Sequence, residues 1–143
     1  MSTRSAIVNS LATELKKING TPPYNSNLFN NVFPKMLFIE DVTDSPTVCV
    51  YAGSETRQYL PAGFKWGFLE IRIRVYVNAE DPVEMLEGVL IDIEKRLDSN
   101  LRLEYATGKY TTDFRVLSIS TDQGILAPIG VGDIVVICRY EVL

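Results

Sequence analysis

The chain has 143 residues, 46% of them apolar and 22% charged, and a formal net charge of −4. It holds no histidine and two cysteines, which removes His-based triads, His general bases, most zinc or copper sites and any disulfide scaffold. The acidic balance argues against general nucleic-acid binding, which calls for a clustered basic excess.

In chain order, the spacing of Ile7, Leu11, Leu15 and Ile18, widened by Val8 and Ala12, predicts an amphipathic helix over 3–18. Ser2 or Thr3 can cap its start, and Asn19-Gly20 followed by Pro22-Pro23 ends it. Residues 21–34 read as a loop rich in Asn and Pro. Its Tyr24, Leu28, Phe29, Val32 and Phe33 suit a segment lying against the domain or a partner. Short strands are expected at 36–40 and 47–52. The strongest strand is 68–78, where Leu69, Ile71, Ile73, Val75 and Val77 alternate with polar neighbours, as on a half-buried antiparallel sheet. Residues 53–67 read as a long hairpin with a protruding loop carrying Tyr59, Phe64 and Trp66.

A second helix is expected over 82–98, started by an Asp81 cap, Pro82 and Glu84. Val83, Leu86, Val89, Leu90, Ile93 and Leu97 form its core face. Glu84, Glu87, Glu94 and Asp98 cluster on the other side around Ile91. A polar connection over 99–113 leads to a strand at 114–121, a turn at Asp122-Gln123-Gly124 and a last strand at 134–142. The order predicts an α+β fold, two helices on a mainly antiparallel sheet, in one domain spanning 1–143. Cys49 and Cys138 lie in apolar strands and read as buried free thiols, or as a disulfide between neighbouring strands. No signal peptide or apolar membrane span fits.

The chain carries no glycine-rich phosphate loop, CxxC, HExxH or GxSxG. Gly124, Gly130 and Gly132 read as a turn between strands. Glu80-Asp81 is explained by the helix start, and Glu40-Asp41 with Asp44 fits no loop that wraps a hard cation. No cofactor or metal is expected, and an enzyme would have to work through Asp, Glu, Lys or Tyr. Arg72, Arg74 and Tyr76 occupy the polar side of the best strand, as a solvated face or as a contact surface. The acidic side of the second helix (Glu87, Ile91, Glu94, Asp98) complements them, so identical copies could join one patch to the other head to tail. Tyr59, Phe64 and Trp66 either fold back on the core or form a contact arm.

Several segments together resemble a known family. These are the strand with Val48, Val50 and Tyr51 before a long hairpin, Val75-Tyr76-Val77 before the second helix, the Thr121-Asp122-Gln123-Gly124 turn, and Tyr140-Glu141 near the end. The chain resembles the tail terminator (tail-to-head joining, minor tail protein U-like) proteins of long-tailed bacteriophages, departing at Gln123, where an acid is common. The resemblance implies a structural, non-enzymatic virion protein at the head-proximal end of the tail, assembled in the host cytoplasm. It implies a ring, usually of six subunits, that binds the finished tail tube, stops its polymerisation and meets the head-neck connector. Another neck or tail-completion protein would share this layout. DNA would pass through such a ring without specific binding, and a negative chain would line the channel by repelling it.

Overall fold

A computed structural model describes residues 2–99 and 101–143. Helix α1 spans Thr3–Leu15 and is capped by Ser2, whose Oγ accepts from the Ser5 amide at 3.1 Å. It ends three residues before the predicted 18, because Lys17 and Ile18 donate to the carbonyls of Glu14 and Leu15 and tighten the last turn. Ile18 still reaches the core, fully buried outside the helix.

The strands are β1 (Val32–Phe33), β2 (Thr47–Tyr59), β3 (Lys65–Asn78), β4 (Glu104–Ala106), β5 (Lys109–Thr121) and β6 (Ile129–Glu141), and α2 spans Pro82–Leu97. The sheet order is β1-β2-β3-β6-β5-β4. Every pairing is antiparallel except β1 with β2. The α+β expectation holds, with two helices and a mostly antiparallel six-stranded sheet.

Several local expectations change. The strand predicted at 36–40 is a coil leading into a 3-10 turn at Ile39–Asp41, because the backbone there finds no strand to pair with. The expected long loop over 53–67 is mostly strand. β2 and β3 pair up to Tyr59 opposite Lys65, leaving a five-residue tip. Ala62 and Gly63 reverse the chain there with φ of 66° and 80°. Gly130 and Gly132 belong to β6, where their missing side chains let α2 approach. A Cβ on Gly130 would lie 2.9 Å from Val77 Cγ2 and 3.2 Å from the Pro82 carbonyl oxygen.

The core lies between the helices and one sheet face. Ile7, Leu11 and Leu15 of α1 and Leu86, Leu90 and Ile93 of α2 meet Val48, Val50, Leu69, Ile71, Ile73, Ile134 and Val136. The last strand, expected at 134–142, begins at Ile129, and its burial alternates throughout, so the apolar run Ile134–Cys138 is divided between the two faces. Cys49 and Cys138 are both buried and free; burial pushes their thiols up, so they behave as small apolar side chains. Val83, placed in the core by spacing, is 42% exposed and lies beside Gly124 of the turn before β6, while its neighbour Pro82 is buried against Gly130. Asp92, with a side chain 1% exposed, was missed. Its Oδ2 accepts from the backbone amides of Asn25 (3.1 Å) and Ser26 (2.7 Å) and ties the 21–31 loop to α2.

Candidate assembly surfaces

The face of the sheet away from the helices is open except where the segment before Ile39 covers Cys49 and Tyr76, and alternation decides what it carries. The registers place Cys49, Arg74, Asp133 and Ser120 in one row, Tyr51, Arg72, Val135 and Ser118 in the next, and Phe68, Arg139 and Asp113 further on. Arg74 lies across from Asp133 and makes a bidentate pair, Nε–Oδ1 2.8 Å and Nη2–Oδ2 3.4 Å. That bond pushes the guanidinium pKa well above its usual value. Arg72 leans on Glu70 at 3.4 Å, Arg115 on Asp113 at 3.4 Å, and Arg139 reaches the same Asp113 at 3.7 Å.

The sequence grouped Arg72, Arg74 and Tyr76 as one exposed patch, and the structure divides them. Tyr76 is 4% exposed beneath the segment before Ile39, and its hydroxyl donates to the Leu37 carbonyl at 2.9 Å. Arg74 is engaged by Asp133, and Arg72 stands half-exposed. The second expected patch is present as a surface. Ile91 is 47% exposed and Glu87 and Asp98 are exposed beside half-buried Glu94. Burial, then Asp98 and Glu87, raise the Glu94 pKa, as a crowded acidic cluster should. It lies on α2, across the sheet from the open-face arginines, so one chain cannot join the two patches.

The aromatic trio also splits. Tyr59 and Phe64 stand exposed at the hairpin tip, whereas Trp66 lies on the open face under the Arg139 guanidinium, 4.8 Å from its ring centroid. Next to the hairpin, Tyr140 of the Tyr140-Glu141 motif fills the space left by Gly67, where a Cβ would come within 2.7 Å of the ring. Its hydroxyl bonds to Glu55, and burial followed by that bond pushes its pKa up to about 12.

At the other end of the sheet, a cleft of about 460 Å³ lies between the 36–40 segment and the 122–126 turn. Its rim carries Met36, Phe38, Ile39 and Leu126, all exposed. Asp122 builds the turn, accepting from the amides of Val131 (3.2 Å), Leu126 (3.2 Å) and Gly124 (3.5 Å). Partial burial alone would raise its pKa, but these amides together lower it. A group with a lowered folded pKa stabilises above its unfolded value of about 3.9, and that contribution is lost as pH falls through the folded value. Asp122→Asn should therefore melt lower than the parent at pH 7, with the gap closing as the pH falls below the ordinary carboxylate value of about 3.9; melting curves followed from pH 7 to pH 2 check this, and a gap constant with pH excludes it.

The sheet edges were not visible in the sequence. β1 covers only Val48 and Cys49 of β2, so β2 runs unpaired on its outer side toward Tyr59. β4 covers only the start of β5, so β5 is open on to Thr121. The open edge of β2 contains one register shift, at Ala52/Glu55, and that of β5 contains two, at Thr111/Asp113 and Val116/Ser118. Leu117, in the second shift, is 65% exposed and Ile119 40%. Two long open edges on opposite sides of one sheet leave rows of backbone N–H and C=O groups without a strand partner among the described residues.

Comparison with known proteins agrees with this architecture. The chain matches a family described as Bacteriophage Tail Tube Terminator Protein over residues 1–143. It is 36% identical over 153 aligned positions to the tail tube terminator protein p142 of Escherichia phage T5, covering 99% of this chain and 95% of that protein. A chain in the structure of a native gene transfer agent virion shares the fold, with a TM-score of 0.64 at 13% identity, covering 99% of this chain and 98% of that one. The chain belongs to the bacteriophage tail tube terminator family, as a structural component of the virion.

Proposed function

We propose that copies of this chain close into a ring that caps the head-proximal end of the tail tube, stops its polymerisation and offers the head-neck connector a joining surface. The observation that carries this reading is the pair of open edges. β2, β3, β6 and β5 alternate in direction, and their number is even. A copy facing the same way therefore brings its β2 antiparallel to the β5 of its neighbour, and the alternation continues across every seam. Repetition by rotation closes the sheet on itself and removes both edges. Helices about 10 Å thick need the larger circumference, so they lie outside and the open face lines the channel. Six copies would give a barrel of about 24 strands, roughly 40–50 Å across at the backbone.

The exposed hairpin tip and the apolar-rimmed cleft lie at opposite ends of the strands. In a ring they project from opposite rims, one toward the tube and one toward the connector. The role is structural and non-enzymatic. Tails assembled without this chain should vary in tube length and fail to join heads; tubes of normal length that still join heads would exclude the reading. Pull-downs with purified tube and connector proteins separate it from a neck component, which would retain only the connector.

A further inference from the structure

The chain carries a net charge of −4, yet the open face of its sheet is not negative. The strand residues there include four arginines (Arg72, Arg74, Arg115 and Arg139) and four carboxylates (Glu70, Asp113, Asp133 and Glu141). The acidic excess lies elsewhere, on α2 and in the segments at the cleft end of the sheet. Each of the four arginines has a carboxylate on the same face, at 2.8 to 3.7 Å. Phe68, Val135 and Ile137 separate the pairs along the strands.

This arrangement bears on a polyanion in a specific way. Free arginines on a sheet would bind phosphates and release counterions, gaining affinity with each contact. A bare acidic face would repel phosphates across a Debye length of about 8 Å. Arg72 and Arg74 are hydrogen-bonded to Glu70 and Asp133, and Arg115 and Arg139 share the charge of Asp113; guanidinium groups ion-paired in this way do neither strongly, since a phosphate must compete with an acid to gain a bond. We propose that the open sheet face is a masked polyanion surface, on which paired arginines let a nucleic-acid duplex lie close without being held. The expectation from net charge alone, passage by repulsion, is thereby replaced by neutralisation in place. The proposal rests on the ring reading only for what brings the duplex to this face.

The test uses the full chain at concentrations where light scattering shows monomer, so its outcome does not depend on ring closure. Binding to a 30-base-pair DNA duplex is followed by fluorescence anisotropy at 50 mM and 150 mM salt. The triple substitution Glu70→Gln, Asp113→Asn, Asp133→Asn unmasks the arginines. The control Glu84→Gln, Glu87→Gln, Asp98→Asn makes the same change in net charge on α2. The expected result is at least tenfold tighter binding by the unmasked variant, lost at the higher salt, and no comparable gain in the control. Asp133→Asn alone, keeping an oxygen opposite Arg74, serves if the triple variant does not fold, with a smaller gain in the same direction. Equal affinities for parent and unmasked variants, equal gains in the control, or tight binding by the parent would each overturn the proposal.

Discussion

Leu117→Asp combined with Ile119→Asp should leave the fold intact and abolish ring formation. Both side chains are exposed on the open edge of β5, at 65% and 40%, so the monomer loses little core and its melting temperature should move only slightly. In a ring the same two positions lie at the seam with β2 of the next copy. Each introduced carboxylate would be buried at the junction without a partner, at about 2–3 kcal/mol per unpaired polar group. The cost repeats at every seam of a closed ring, so its effect on assembly multiplies with subunit number. The solution mass with and without tail tubes, by light scattering or native mass spectrometry, should show monomer in both conditions. A ring of unchanged mass would mean that β5 does not form the seam.

The largest stability effect away from the apolar core is expected at Asp92. Its carboxylate is almost fully buried, bonds two backbone amides of the 21–31 loop and has Lys95 Nζ 3.6 Å from Oδ1. Asp92→Ala leaves both amides without that acceptor and the loop without its tie to α2. Bonds to a charged acceptor contribute about 1.5–3 kcal/mol each, only partly recovered by water, so a loss of about 2–4 kcal/mol is expected. Asp92→Asn, which keeps one acceptor oxygen, should lose about half as much. Urea denaturation measures both, and the unfolding slope should be unchanged. Parent-like stability in Asp92→Ala would show that the loop holds through Leu28 and Val32 packing alone.

The two predictions depend on features of different legibility. Leu117 could be named as part of a strand from its neighbours, but its place on an open edge could not. Asp92 lies next to Ile91 and Ile93 in a helix whose apolar spacing is regular, and helical spacing gave no sign that it faces inward toward a distant loop. The amphipathic cluster of Glu87, Ile91, Glu94 and Asp98 was legible, because helix periodicity alone sets that face. Tyr76 was misread for the opposite reason. Alternation correctly put it on the sheet face away from the helices, but segment 36–41, distant in sequence, covers that part of the face.

By itself, the sequence determined the elements whose causes are local. Periods of 3.6 and 2 placed both helices and the central strand, Asp81-Pro82 started α2, and the histidine-free composition removed most catalytic chemistry. Strand alternation also put Arg72 and Arg74 on one face. The tertiary structure decided what depends on pairing between distant residues. It set the order β1-β2-β3-β6-β5-β4, the brevity of β1 and β4 that leaves two edges open, and the carboxylates that meet each arginine. Local sequence fixes which way a side chain points along its own strand, but register between strands sets its neighbours. Those neighbours determine whether an arginine is free or paired and whether an edge is closed or open to a second copy.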